Sequence, residues 1–183
     1  MTEWEKCAAG LWYSTMFPEF EEEHIRCADL CYEYNHTRPS DKETRLRLIR
    51  RIFGKIGKNP YIEPGFFCGF GWNIEAGDEF FVNYNCVFLD NAKIIFGNDV
   101  KIAPGCGFYT ALHPFDPELR RQNYEAARPI TVGNNVWIGG GATVLPGVTI
   151  GDNTVIGGGS VVVRDIPANC VAAGNPCRVI RTI

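Results

Sequence analysis

Ile130-Thr131-Val132-Gly133-Asn134-Asn135-Val136-Trp137-Ile138-Gly139-Gly140-Gly141-Ala142-Thr143-Val144-Leu145-Pro146-Gly147-Val148-Thr149-Ile150 opens the stretch that decides the architecture. An aliphatic residue returns at every sixth position: Val132, Ile138, Val144, Ile150, Ile156 and Val162. Glycine follows at once at Gly133, Gly139, Gly151 and Gly157. Four positions after each aliphatic stands Val136, Ala142, Val148, Thr154, Ser160 or Ile166, mostly small or β-branched. A period of six fits neither a helix at 3.6 nor a lone strand at 2, so it describes one turn of a larger coil. An inward side chain at every sixth residue, with glycine at the bends, is what stacked short strands of a parallel β-helix need. The predicted fold is therefore mainly β.

Working toward the N-terminus, the step recurs at Ile62, Cys68, Ile74, Phe80 and Cys86, then after a four-residue slip at Phe96, Ile102 and Phe108. Between Ala111 and Pro129 it stops, in a polar segment with three prolines that reads as a long excursion loop, the place where a rigid scaffold carries function. Before Pro60 the pattern is helical. Trp4, Cys7, Ala8 and Leu11 share one helix face, and Phe20, Cys27, Cys31 and Tyr34 mark a second helix from about Glu19 to Tyr34. Ser40 and Glu43 form a capping box before a third, with Leu46, Ile49, Ile52, Phe53 and Ile56 inward and Arg45, Arg47, Arg50 and Arg51 expected on a solvated exterior. The organisation expected is a helical segment over 1–59, capping the acceptor side, and a coil over 60–183 with its excursion at 111–129, together one structural unit.

Composition narrows the function. The 183 residues, 45% hydrophobic, suffice for one domain with a sizeable core. A formal charge of −3 gives no basic face for nucleic acid. No apolar run approaches the ~18 residues that span a bilayer, and the acidic start Met1-Thr2-Glu3-Trp4-Glu5-Lys6 is unlike a signal peptide. A soluble, cytoplasmic protein is expected. The eight cysteines include no C-x-x-C pair, and buried free thiols are expected over a zinc or disulfide framework, although Cys27 and Cys31 share a helix face.

Three segments carry a resemblance: Thr110-Ala111-Leu112-His113-Pro114, the run Ile130 to Gly139, and Gly174-Asn175-Pro176-Cys177-Arg178-Val179-Ile180-Arg181, with Tyr34-Asn35-His36-Thr37-Arg38-Pro39 after the helices. They are similar to the maltose and galactoside O-acetyltransferases. The resemblance implies a left-handed parallel β-helix, a homotrimer with clefts shared between neighbours, acetyl-CoA as co-substrate, no metal, and a small-molecule hydroxyl as acceptor. It makes His113 the general base and Asn83 a hydrogen-bonding partner of the acceptor. It places further acceptor contacts at Asp90, Asn91, Tyr13 and Gly69. It assigns the cofactor to Trp137, Gly140, Gly158, Val163, Arg164, Arg178 and Arg181.

The chemistry fits these residue types. A hydroxyl is a poor nucleophile at neutral pH, so transfer from a thioester needs a base within reach and a donor for the developing oxyanion. Of His24, His36 and His113, only His113 lies in the excursion. Glu125, in the same segment, is placed to accept from the other imidazole nitrogen and hold the tautomer. Guanidinium groups suit the cofactor's phosphates. Cys106 is read as inward and inert.

Two departures bear on the acceptor. Where the family's sugar-binding members carry an acid after an aromatic and an arginine further on, this chain has Ser14-Thr15 after Tyr13, and His24. Phe66, Phe67, Phe70, Trp72, Phe80, Phe81 and Tyr84 also gather in the sequence around the acceptor side, pointing to a more apolar alcohol. The alternatives are a xenobiotic or secondary-metabolite acetyltransferase with a non-sugar acceptor, and a non-catalytic β-helix assembly subunit. A coil-borne carbonic anhydrase fails, since its zinc needs three histidines and the coil region has one.

Overall fold

A computed structural model describes residues 1–183. Short strands wind into a coil with three flat faces. The first face stacks Lys55–Ile56, Ile74–Ala76, Ile94–Phe96, Ile130–Val132 and Thr149–Ile150. The second stacks Tyr61–Ile62, Phe81–Val82, Lys101–Ile102, Trp137–Ile138, Val155–Ile156 and Cys170–Gly174. The third stacks Phe67–Cys68, Val87–Leu89, Gly107–Tyr109, Thr143–Val144 and Val161–Val162. Pairing along each face is parallel, until the last strand, Cys177–Thr182, folds back antiparallel onto Cys170–Gly174.

The register shows which residues fill the coil. Ala76, Phe96, Val132 and Ile150 form one inward column. Ile62, Val82, Ile102, Ile138, Ile156 and Ala172 form the second. Cys68, Phe88, Phe108, Val144 and Val162 form the third. This corrects the sequence reading. Instead of one slip of four after Cys86, there are two smaller ones, between Cys68 and Ala76 and between Phe88 and Phe96. Phe80 and Cys86 are wholly buried, but in the second inward position, four residues after a strand's own inward residue, where Val136 and Ala142 also sit. Two apolar columns with the same step overlapped in the sequence.

Both slips and the excursion fall at one place, the corner where the third face turns into the first. Three insertions are thus stacked there, at Gly69–Asn73, Leu89–Lys93 and the segment after Tyr109, and the step from Val162 to Ile166 is shortened at the same corner. Elsewhere the corners are tight. Asn135, Asn153 and Asn169 adopt left-handed backbone (φ 53°, 54° and 58°), which asparagine tolerates, and their side-chain amides bond one another up the stack at 3.0 and 2.9 Å.

Three helices precede the coil: α1 (Glu3–Ala8), α2 (Pro18–His36) and α3 (Lys42–Ile52). The capping box lies at Thr2 and Glu5 of α1, whereas α3 is capped by Asp41 accepting from the Thr44 N–H, not by Ser40 and Glu43. The helices cover the open edge of the first turn. Arg26 donates to the Phe70 carbonyl, and Asn35 accepts from the Gly65 and Phe66 N–H groups and donates to the Phe66 carbonyl. Arg45 donates to the Ile62 carbonyl at 2.6 Å and to the Tyr34 hydroxyl. Arg45 is therefore buried, not on a solvated face, because its donors satisfy strand-edge backbone that water cannot reach.

One apolar cluster runs from α2 and α3 through the coil to Cys177. Phe66, Phe80, Phe88, Phe96 and Phe108 form its aromatic centre, with ring centroids 4.8 to 5.2 Å apart for the closest pairs. Phe66 and Phe80 are thereby removed from the acceptor side, whereas Phe70, also buried, packs against Trp4, Phe20 and Trp72. All eight cysteines are free and buried, and Cys27 and Cys31 of α2 meet Cys68 of the coil.

Candidate active site

The irregular corner is held by a carboxylate. Asp90 is fully buried; its Oδ1 accepts from the Gly69 and Phe70 N–H groups, both at 2.9 Å, and its Oδ2 from Asn73 N–H at 3.3 Å. Burial pushes the Asp90 carboxyl up to about 6, against the pull of these backbone donors. Asn73 bonds the Asp90 and Asn91 carbonyls, and Thr110 bridges the Ala92 N–H and the Leu89 carbonyl. Asp90 and Gly69 thus bind each other at this corner. Asn73 and Thr110, which the sequence reading passed over, complete the brace; Thr110 stands inside the matched Thr110-to-Pro114 run.

On the outer side of this brace stands the excursion. It is a hairpin: Ala111–Leu112 pairs antiparallel with Tyr124–Ala127, around a short helix α4 (Pro117–Arg121) capped by Asp116. Tyr13–Ser14 adds a third strand on its other side, with Tyr13 opposite Glu125 and Ser14 opposite Tyr124. That pairing ties the chain's beginning to the excursion.

Four of the expected residues meet here. His113, more than half exposed, has Nε2 3.7 Å from Glu125 Oε1, an ion-pair distance longer than a hydrogen bond. The other carboxylate oxygen accepts from the Tyr13 hydroxyl at 3.1 Å and from Asn91 Nδ2 at 3.2 Å. Asn91 also donates to the Tyr13 oxygen at 3.0 Å. Tyr13 is wholly buried, and burial raises its phenol well above the ordinary range, so it stays a neutral donor. The result is an exposed imidazole backed by a carboxylate that a buried phenol and a half-buried amide hold in place.

The remaining residues lie elsewhere. Asn83 follows Phe81–Val82 at the opposite edge of the third face, where the second face turns into it. Its Oδ1 accepts from the Tyr84 N–H. With Lys101, Ala103 and Trp137 it lines a cavity of about 430 Å³. Gly140 and Gly158 stack at the same corner, the Gly159 N–H bonding the Gly140 carbonyl at 2.8 Å. The Gly140 and Gly158 N–H groups donate to no backbone carbonyl. A Cβ at Gly140 would touch the Pro104 carbonyl at 3.4 Å and one at Gly158 the Gly140 carbonyl at 3.2 Å, so glycine keeps this strip of backbone free of side chains.

Trp137 is 55% exposed on the second face, in line with Val155, Val171 and Arg181. Arg178 and Arg181, both exposed, project from the terminal hairpin. Val163 and Arg164 follow Val161–Val162 and so sit on His113's corner, two turns along. Within one chain, then, His113 lies at one edge of the third face and Asn83 with the glycine strip at the other. Cys106 is buried, its Sγ 3.3 Å from the Gly139 carbonyl. Its thiol is pushed up by its contact with Cys86 and by burial, which leaves it no part as a nucleophile.

Comparison with known proteins agrees with this anatomy. The maltose acetyltransferase hexapeptide capping motif matches residues 6–57, and the bacterial transferase hexapeptide, as six repeats, matches residues 129–164. A Saccharomyces cerevisiae protein that carries the name acetyltransferase is 54% identical over 83% of this chain and 78% of its own length. The crystal structure of a maltose O-acetyltransferase from Clostridium difficile 630 superposes with a TM-score of 0.98 at 46% identity, over 100% of this chain and 98% of that one. A galactoside acetyltransferase in complex with coenzyme A gives 0.96 at 42% identity, over 100% and 92%.

The chain belongs to the hexapeptide-repeat acetyltransferases of the maltose and galactoside O-acetyltransferase type. Its coil is the left-handed parallel β-helix of that family, and it is an enzyme, which sets aside the reading as an assembly subunit. No helix is long and apolar enough to cross a membrane.

Proposed function

We propose that the protein is a homotrimeric O-acetyltransferase that passes the acetyl group of acetyl-CoA directly to a hydroxyl of a small molecule, with His113 as general base. The observation that carries this reading is the His113, Glu125, Tyr13 and Asn91 cluster on the excursion hairpin. Glu125 faces Nε2, so that nitrogen keeps its proton and Nδ1 takes the acceptor's. As the imidazole becomes charged, the carboxylate stabilises it, and Tyr13 and Asn91 keep the carboxylate from turning away.

The thioester belongs at the other edge of the third face. There the free N–H groups of Gly140 and Gly158 suit the pantetheine amides, Trp137 walls the groove, and Arg178 and Arg181 reach for phosphate. Val163 and Arg164 complete the cofactor groove from His113's edge. Asn83 directs its amide at the acceptor. Because these two edges are a face apart, the reaction needs a neighbouring chain to bring them together. The third face suits that contact: its outward residues Phe67, Val87, Leu89, Tyr109, Thr143 and Val161 carry no charge.

The acceptor is a sugar or another small alcohol, the latter favoured by the exposed Trp72 and Tyr84. The test is His113→Ala. We expect fold and acetyl-CoA affinity to be kept while kcat falls by roughly 10²–10⁴. Near-normal turnover, or an acetylated enzyme trapped with acetyl-CoA alone, would sink direct transfer by this base.

A further inference from the structure

Away from the excursion corner, three thiols converge from two parts of the fold. Cys27 and Cys31, one turn apart on α2, point at Cys68 on the third face of the first turn. Cys68 Sγ lies 3.4 Å from Cys27 Sγ and 3.7 Å from Cys31 Sγ, and all three sulfurs lie within 4.8 Å of one another. All are buried. Sulfurs bound to one zinc at about 2.3 Å in a tetrahedron stand about 3.8 Å apart, so the two Cys68 separations already match and the Cys27–Cys31 pair must close by about 1 Å at most to share an ion.

We propose that Cys27, Cys31 and Cys68 form a zinc(II) site that staples α2 to the first turn of the coil. The donor set is all sulfur, which selects a thiophilic ion over magnesium or calcium. Three thiolates and a divalent ion leave a net charge of −1, less costly to bury than the −2 that copper(I) would leave. A tetrahedral ion needs a fourth ligand. A cavity of about 460 Å³ reaches Cys31 and Cys68 and carries His24 and His36 on its lining, which leaves room for a water to fill that position. Metal binding releases the thiol protons to solvent and changes no oxidation state.

The experiment uses the full chain, reduced and stripped with a chelator, titrated first with cobalt(II) as a spectroscopic stand-in and then with zinc(II). We expect one cobalt per chain, with thiolate-to-cobalt absorption and the intense bands of a tetrahedral site, displaced by zinc. Zinc should raise the thermal midpoint. Both effects should vanish in Cys31→Ala and Cys68→Ala and persist in Cys86→Ala, which touches another thiol pair. Should Cys68→Ala fail to fold, Cys31→Ala decides alone, since alanine suits a helix. Absence of saturable binding, the same spectrum in Cys31→Ala, or uptake of copper(I) but not zinc would each overturn the proposal.

Discussion

The Tyr13 hydroxyl donates to Glu125 Oε2 at 3.1 Å, joining residues 112 positions apart in the chain. Tyr13 is fully buried and Glu125 largely so, which makes this bond the rigid part beneath an exposed His113.

Removing the hydroxyl should therefore loosen the base without touching the cofactor. In Tyr13→Phe we expect kcat to fall roughly 3–10-fold with KM for acetyl-CoA unchanged, because a misaimed carboxylate costs orientation. Stability should drop by about 1 kcal/mol, the net worth of one buried hydrogen bond. Steady-state kinetics and urea unfolding check both; an unchanged kcat would mean that Glu125 does not orient His113.

Placing His113 and Asn83 on different edges of one face predicts complementation between inactive variants. His113→Ala and Asn83→Ala should each be nearly inactive as pure trimers. Mixed and reassembled, they should recover up to about a quarter of the sites, those in which each partner supplies its intact residue. Activity that stays at baseline in verified mixed trimers would place both residues in one chain's site.

Arg178 and Arg181 should serve the phosphates of the cofactor. A charge-assisted bond is worth about 1.5–3 kcal/mol, so at least one of Arg178→Ala and Arg181→Ala should weaken acetyl-CoA much more than its dephospho form. Calorimetry with both ligands decides. Equal losses in both variants would leave these side chains as surface charge.

Asp90 should leave a pH signature in stability. Its folded value of about 6 lies above the ordinary 3.8, so the native state binds a proton that the unfolded chain releases. The stabilisation that the neutral carboxyl contributes is complete below about pH 4 and is lost as pH rises through about 6, by up to ~3 kcal/mol. Asp90→Asn lacks this step. Urea unfolding at about pH 4 and about pH 7.5 should show the wild type losing stability relative to Asp90→Asn as pH rises. A difference that is flat with pH would refute the shifted carboxyl.

The later turns were legible because the six-residue step from Val132 to Val162, which visits the three faces in turn, is unbroken and marked by glycine. The earlier turns blurred, because Phe80 and Cys86 occupy a second inward column with the same step as Val82 and Phe88. His113 stood out because periodicity stops around it. Arg45 misled because a charged residue reads as exposed, and only the fold reveals the strand-edge carbonyls that consume its charge. The distance between His113 and Asn83 was beyond a linear reading, since it depends on which of three faces each strand joins.

The helical cover on the first turn has a consequence for self-association. A bare parallel coil ends in unpaired strand backbone, a template on which a second molecule could stack end to end and continue into a fibre. Arg26, Asn35 and Arg45 occupy those sites with side chains that offer no further edge. At the far end, the reversed strand Cys177–Thr182 breaks the parallel run and presents two arginines. The molecule is thus free to join neighbours through its flat sides while both tips refuse growth, which makes its assembly self-limiting.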